Sequence, residues 1–169
     1  VKKTGGTNSV TTTYKFITDE CVFTSNYASE GAALSFSNTY KIHSLNSTYK
    51  MNNAKYTGGV FNIKSSNRSV IKSSLFVDNI AIESGGVFYG TQSSIIEIYS
   101  CRFWNNSAGY GGVIYCLDVT SLDFFSSQYF QNFVFSSGGV MSITGSQFIN
   151  AFYCNFMQNI AEQGSGGMG

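Results

Sequence analysis

Proline is absent from this chain of 169 residues, and charged side chains make up only 11% of it. Without proline, tight turns must be made by glycine, asparagine and serine. Aromatic residues reach 16%. Few charges combined with many aromatic and β-branched residues indicate a large buried β core rather than a disordered chain. No stretch approaches 18 uninterrupted apolar residues, so the sequence predicts no membrane-spanning helix.

The few charges are distributed unevenly along the chain. Residues 1–74 hold nine of the ten basic residues and three of the nine acidic residues, a net charge of +6, whereas residues 75–169 carry −5. A nucleic-acid-binding chain usually shows a basic stripe with little acid beside it, so we predict no nucleic-acid partner. The pattern indicates instead a molecule with one positive and one negative end.

One pattern recurs six times: an aromatic residue, an asparagine three positions later, alanine or valine two positions further, and then a glycine pair. The first and last copies are weaker, and the first has Gly31-Ala32 in place of the pair. The aromatic positions are 26 or 27 residues apart: Phe23, Tyr49, Phe76, Phe103, Tyr129 and Phe156. A further pair, Gly5-Gly6, stands 26 residues before Gly31. A fixed period over six copies indicates a solenoid. We call each copy a rung and number the rungs 1 to 6 by these aromatic residues.

Within each rung, short stretches alternate apolar with polar residues, as in I-I-E-I-Y at 95–99, and no capped 3.6-residue pattern favours a helix. We therefore predict an all-β fold, a right-handed single-stranded parallel β-helix of about six rungs with two or three short strands per rung. The right-handed sense follows from the general crossover preference. Residues 1–169 form a single β-helix domain or an excised segment of a longer β-helical array.

Stacking explains the repeated residues. Successive rungs lie about 4.8 Å apart, so equivalent side chains form columns. We expect the six aromatic residues to be buried on one another, and the asparagine amides to form a hydrogen-bonded ladder. The small residue and the glycine pair permit a tight turn with positive φ.

The paired tetrapeptides FVDN/GGVF, FWNN/GGVI and FMQN/GGMG resemble the repeats of the chlamydial polymorphic outer membrane proteins. The resemblance covers essentially the whole chain, although GGV replaces the commoner GGA and no membrane-barrel segment or signal is present. It implies a right-handed β-helical passenger displayed at a cell surface and acting in adhesion. Similar repeats also occur in large secreted proteins of bacteria and protists.

Four cysteines occur without a Cys-x-x-Cys pair. Cys21, Cys101 and Cys154 share one column with serines, whereas Cys116 occupies an inward position in its rung. Members of the shared column lie at least two rungs apart, beyond disulfide reach. The cysteines are interpreted as buried free thiols, with a Cys101–Cys116 bridge as the alternative. The sequence predicts no metal site at them and no cofactor.

Glu97 and Asp123 form the only stacked acidic pair, on adjacent rungs about 5 Å apart. Such a pair could bind a cation weakly or share a proton as an acid/base dyad in a polysaccharide lyase or hydrolase. The basic column, Lys15, Lys41 and Arg68, is expected to lie two to six rungs away. A solvated face is therefore the favoured interpretation, and we predict no enzymatic activity.

A column of Tyr99, Phe125 and Phe152 runs through three consecutive rungs. Facing solvent, it would form a stripe for stacking sugars or docking a partner; turned inward, it would belong to the core, which is the interpretation we favour. Trp104 is expected to point outward, where it could contact a glycan or a partner.

The remaining candidates are a lone histidine and three glycosylation sequons. His43 has no evident nucleophile partner and is interpreted as a surface histidine. Asn46, Asn67 and Asn105 begin Asn-x-Ser/Thr sequons, and their positions are compatible with glycosylation in exposed turns.

Taken as a whole, the sequence predicts a non-enzymatic extracellular or cell-surface structural or adhesive module. The alternative is a carbohydrate-binding or polysaccharide-degrading β-helix. The charge asymmetry and the absence of a cap favour head-to-tail contact, either with identical subunits in a filament or with further repeats of one chain. Glycans or a host or neighbouring surface are the other expected partners.

Overall fold

The computed structural model describes residues 2–4, 8–164 and 166, and these ranges contain 25 short β-strands and no helix. The strands form four parallel sheets, and the chain visits the sheets in the same order in every rung. The predicted all-β parallel solenoid of about six rungs is confirmed. Gly5-Gly6 and Gly167 lie outside the described residues, and the right-handed sense stays a prediction.

Each rung carries four strands rather than the two or three expected, because the short segments at the column aromatic and after the asparagine are separate strands. Sheet 1 contains Asn8–Thr11, Leu34–Ser37, Phe61–Lys64, Phe88–Thr91, Ile114–Leu117 and Met141–Thr144. Sheet 2 contains Lys15–Asp19, Lys41–Leu45, Arg68–Lys72, Ile95–Tyr99, Ser121–Phe125 and Phe148–Phe152. Sheet 3 contains Lys2–Thr4, Val22–Thr24, Thr48–Lys50, Leu75–Val77, Arg102–Trp104, Gln128–Phe130 and Asn155–Met157. Sheet 4 contains Tyr27–Glu30, Asn53–Thr57, Ile80–Ala81, Ser107–Tyr110, Phe133–Ser137 and Ile160–Ala161.

The core is a stack of aromatic rings along the solenoid axis. Phe76 pairs directly with Phe103, and the centroids of their nearly parallel rings are 4.8 Å apart. The same arrangement continues from Phe23 through Phe156 with spacings between 4.7 and 5.0 Å. Five of the six aromatic residues are buried as predicted, and Phe156 in the last rung is half-buried.

The predicted asparagine ladder is confirmed, and each member makes a repeated set of contacts. Asn79 donates from its backbone N and its Nδ2 to Oδ1 of Asn106, at 3.1 and 2.9 Å. Its Nδ2 also donates to the backbone oxygen of Tyr49, at 3.0 Å. The set recurs at Asn52, Asn106 and Asn132, so direct hydrogen bonds of the ladder link rungs 1 to 6.

The glycine pair makes the turn into sheet 1, and its two positions differ in what they require. The first glycine has positive φ in every rung, from 55° at Gly31 to 90° at Gly166. The second position holds a buried alanine, Ala32, in rung 1. In rungs 2 to 4 an added Cβ at the second position would overlap a backbone oxygen of the next rung, at Gly59, Gly86 and Gly112. Backbone conformation therefore favours glycine at the first position, whereas close approach of the next rung favours it at the second.

The four cysteines are free thiols, and Cys101 and Cys116 are buried as expected without a bridge between them. Cys21 and Cys154, in the first and last rungs, are only half-buried, so the expectation of burial is wrong for these two. Burial raises the pKa of both thiols to about 12. Neither thiol is therefore activated as a nucleophile at neutral pH.

Two buried tyrosines of the aromatic stack differ in their hydrogen bonds, which allows a matched prediction. The hydroxyl of Tyr49 contacts those of Ser44 and Thr18, at 2.7 and 3.1 Å, whereas the hydroxyl of Tyr129 has no partner among the described residues. Tyr49→Phe should lower the free energy of unfolding by about 1–3 kcal/mol, because two buried hydroxyls lose a partner. Tyr129→Phe should leave it unchanged or raise it. Urea denaturation of both variants checks this, and an equal loss in both would contradict the assignment.

Candidate functional site

The outward face of sheet 2 carries the aromatic stripe. Along Ile95–Tyr99, Ile96 and Ile98 point into the core, so Glu97 and Tyr99 lie on the outer side. Phe125 pairs with Tyr99 and Phe152 with Phe125, and neither joins the core cluster. The expectation that this column belongs to the core is therefore wrong.

The rings of this stripe stack on one another. The ring centroids of Tyr99 and Phe125 are 5.0 Å apart with a 6° angle between planes, and those of Phe125 and Phe152 are 5.3 Å apart. Because each inner ring face is covered by the next ring, the stripe presents mainly ring edges to solvent. It is therefore suited to apolar contact with a partner surface rather than to face-on stacking of a sugar.

A groove of about 440 Å³ runs along the outer face of sheet 3, the sheet that follows sheet 2 in each rung. One wall is the column that follows the core aromatic on four successive rungs: Val77, Trp104, Phe130 and Met157. The other wall is the column that precedes it: Leu75, Arg102, Gln128 and Asn155. We call the Val77/Trp104/Phe130/Met157 wall together with the Tyr99/Phe125/Phe152 stripe the aromatic surface.

Trp104 is the best-defined member of the groove, and it points outward as expected. It is 51% exposed, its Nε1 donates to Oε1 of Gln131 at 3.2 Å, and its ring meets that of Phe130 edge to face. These contacts hold the indole at the groove without covering it. Sequence reasoning singled out Trp104 and missed Phe130 and Met157, although an apolar residue after each core aromatic on four rungs was a readable signal.

The acidic pair lies on the outer face of sheet 2, with Glu97 paired to Asp123 on the next rung. The expected solvated face is wrong for Glu97, which is only 9% exposed because Arg68 and Tyr99 bond to its carboxylate. Glu97 accepts two hydrogen bonds from Arg68, from Nε at 2.5 Å and from Nη2 at 3.0 Å, and a third from the hydroxyl of Tyr99 at 3.0 Å. The expected separation of two or more rungs between the basic column and the acids is wrong, because Arg68 stands one rung from Glu97 and reaches it diagonally.

Asp123 also has protein partners. It accepts a hydrogen bond from the hydroxyl of Ser121 at 2.9 Å and from Nδ2 of Asn150 at 2.7 Å. The two carboxylates are thus held by separate neighbours rather than directed at one shared cation or proton. Within residues 2–4, 8–164 and 166, no three His, Cys, Asp or Glu side chains are grouped closely enough to hold a metal ion.

His43 lies on the same face, two rungs before Glu97, among the basic residues. Partial burial lowers its pKa, and the positive charges of Lys15, Arg68 and Lys41 lower it further. As the only histidine in the chain, it can be followed by NMR without ambiguity.

We expect His43 to titrate below the usual value near 6.5, and Lys15→Gln to raise its pKa because one repelling charge is removed. Lys64→Gln is the control, since Lys64 lies on sheet 1, where it is ion-paired with Glu30 of sheet 4. As the pH falls, His43 is protonated in the unfolded chain at a higher pH than in the folded protein, because its pKa is lower in the folded protein. The contribution of His43 to stability should therefore fall as the pH drops below about 6.5 and level off below the folded pKa. A pKa above 6.5 in the folded protein would contradict this account.

The three sequon asparagines are exposed. Nδ2 of Asn46 donates to Asp19 at 3.0 Å, and Nδ2 of Asn105 donates to Asp78 at 2.8 Å. Asn67 lies in the bend before Arg68–Lys72. Their placement in exposed turns is confirmed, and their glycosylation stays a prediction.

No protein-family model, curated protein or solved structure matches this chain. Within the described ranges there is also no helix long and apolar enough to span a membrane.

Proposed function

We propose that this chain is a structural and adhesive module of a cell surface or the extracellular space, a β-helix that binds its partner through the aromatic surface. The observation that carries the proposal is the run of outward-facing large apolar side chains on consecutive rungs of sheets 2 and 3. Large contiguous apolar patches on soluble proteins mark interaction sites. The resemblance of the tetrapeptides to chlamydial surface-protein repeats supports the same location.

The framework suits adhesion because it holds the surface rigidly. Parallel pairing in four sheets and the buried asparagine ladder fix each outward column relative to the next. A partner that binds such a surface loses little free energy to ordering of the protein.

Retention of protein-coated beads on immobilised cell envelopes under flow tests the proposal. The double variant Trp104→Ser and Phe130→Ser should lose most of the retention. The matched control is Tyr89→Ser with Tyr115→Ser, two outward tyrosines that stack on sheet 1 with centroids 5.6 Å apart. Equal loss in both variants, or none in either, would contradict an adhesive role for the aromatic surface.

Catalysis is not part of the proposal. Glu97 is tied to Arg68 and Tyr99, and Asp123 to Ser121 and Asn150, which favours a structural role for the pair. Turnover of a polysaccharide by the chain that disappears in Glu97→Gln would overturn this and support a degradative β-helix.

We also propose that the module associates end to end. Ile149 occupies an inward column and is 53% exposed, whereas Leu122, its neighbour one rung earlier, is fully buried. A rung of a second copy placed on Phe148–Phe152 would cover this side chain and continue the sheet. At the opposite end, Lys2–Thr4 already pairs with Val22–Thr24, so this strand must move aside for sheet 3 to continue.

Sedimentation velocity tests the end-to-end contact. We expect assemblies that grow with concentration and that weaken in Ile149→Lys, because a charge would be buried at the junction. Tyr153→Lys on the same rung is the control, since Tyr153 is 92% exposed at a turn. Deletion of residues 1–7 should strengthen assembly. A monomer at all concentrations, with or without residues 1–7, would contradict the contact.

A further inference from the structure

The two walls of the sheet 3 groove differ in chemistry, and the difference repeats from rung to rung. The wall with Trp104, Phe130 and Met157 is apolar. The facing wall offers a guanidinium and two amides, from Arg102, Gln128 and Asn155 on rungs 4 to 6. A ligand that fills the groove must therefore be apolar along one side and rich in hydrogen-bonding groups along the other.

The polar wall is exposed and unengaged. The side chains of Arg102, Gln128 and Asn155 are exposed, and none of them makes a hydrogen bond or an ion pair with another described residue. They follow one another at the rung spacing, about 4.8 Å. The groove thus presents one free polar side chain per rung beside a continuous apolar wall.

An extended peptide fits this groove poorly. The backbone N–H groups of Arg102, Gln128 and Asn155 are already bonded to Ser74, Cys101 and Ser127 of the preceding rungs, so the floor offers them to no incoming strand. Side chains on one face of an extended peptide also repeat every 6.6–6.8 Å or so, which is out of step with the rungs.

A linear sugar chain fits better. A hexose unit is about as long as one rung is high, one face of the ring is lined by C–H groups, and hydroxyls surround its rim. The C–H face can lie against the indole and the neighbouring apolar side chains, while the hydroxyls bond to the amides and the guanidinium opposite. Arg102 is the only charged residue that lines the groove, and an exposed charge of this kind contributes little to binding.

We propose that the sheet 3 groove binds a linear chain of neutral hexose units, one unit per rung, with Trp104 and Phe130 lining the apolar side of the sugar chain. The proposal rests on the aromatic surface being the adhesive surface, and it names the ligand class for the groove. The stacked stripe on sheet 2, whose inner ring faces are covered, does not line this groove and is not the sugar platform.

The chain itself contains the reporter for this site, because Trp104 is its only tryptophan. The probes are β-1,4-linked hexamers of glucose and of N-acetylglucosamine, a mannose hexamer, a galacturonate hexamer, and a peptide of alternating valine and lysine. We expect at least one neutral hexamer to shift the indole emission to shorter wavelength, saturably and independently of salt. Affinity should rise from the dimer to the tetramer and then level off, since the groove spans rungs 3 to 6.

Variants separate this site from the rest of the surface. Gln128→Ala should weaken binding of the neutral hexamer about fivefold, the loss of one hydrogen bond. Gln147→Ala, the same substitution at an exposed turn outside the groove, should leave binding unchanged. Calorimetry on Trp104→Ser should show no binding.

Three results would overturn the ligand assignment: no emission change with any neutral hexamer at millimolar concentration, binding of the galacturonate hexamer alone with strong salt dependence, or binding of the peptide alone. If bead retention still depends on Trp104 and Phe130 in that case, the adhesive function stands and only the ligand class is wrong. If no neutral hexamer binds and bead retention does not depend on Trp104 and Phe130, both proposals are wrong.

Discussion

Replacing Gly85 with alanine is expected to lower the free energy of unfolding by roughly 3–5 kcal/mol, from the combined cost of a strained left-handed backbone and a steric overlap. Gly85 has φ of 67°, and an added Cβ would overlap the backbone oxygen and carbon of Phe88. Neither obstacle is a flexible side chain, so the turn itself must shift. Rungs 3 and 4 would then lose their register in sheet 1.

Gly90→Ala is the matched control for Gly85→Ala. Gly90 lies in Phe88–Thr91 at an inward position, and an added Cβ would meet the Ile96 side chain at 3.1 Å and Sγ of Cys116 at 3.2 Å. Because side chains can adjust and the backbone is extended, we expect a change within about 1 kcal/mol. Urea denaturation measures both variants, and similar stability for the two would contradict the role assigned to the turn.

Replacing Asn79 with alanine is expected to cost about 2–4 kcal/mol, because several buried polar groups lose their partners at once. The backbone N and Nδ2 of Asn52 lose their acceptor at 3.1 and 2.8 Å, and the backbone oxygen of Tyr49 loses its donor. These three groups belong to Asn52 and Tyr49, which are both fully buried, and an unpaired polar group in the interior costs free energy.

The control for Asn79→Ala is Asn67→Ala, which removes an exposed amide in a bend and should change the free energy of unfolding by less than about 0.5 kcal/mol. Thermal and urea denaturation check the pair. If Asn79→Ala unfolded no more easily than Asn67→Ala, the ladder would not be the interaction that closes this corner of each rung.

The period of 26 or 27 residues was enough to predict the core, because equivalent residues of stacked rungs must meet. Phe76 on Phe103 and Asn79 on Asn106 follow directly from that rule. The strands of sheet 3 could not be predicted separately, since strands of three residues show no alternation to recognise.

The outer surface was predicted less well, for two physical reasons. Tyr99 was assigned to the core while Glu97, two residues earlier, was assigned to the surface, although side chains two apart in a strand share a face. The contact between Arg68 and Glu97 was missed because a long side chain reaches diagonally across a rung, whereas column alignment compares only residues directly above one another. The groove could not be predicted from one column alone, because its two walls are two different columns, the residues before and the residues after the core aromatic.

Acrylamide quenching of the single tryptophan tests most directly whether the aromatic surface is the binding surface. In the free protein, Trp104 is half exposed and should be quenched readily. When the protein is bound to cell envelopes, the account predicts that quenching falls severalfold, because the partner covers the indole. Quenching that is the same in the bound and free protein would contradict it.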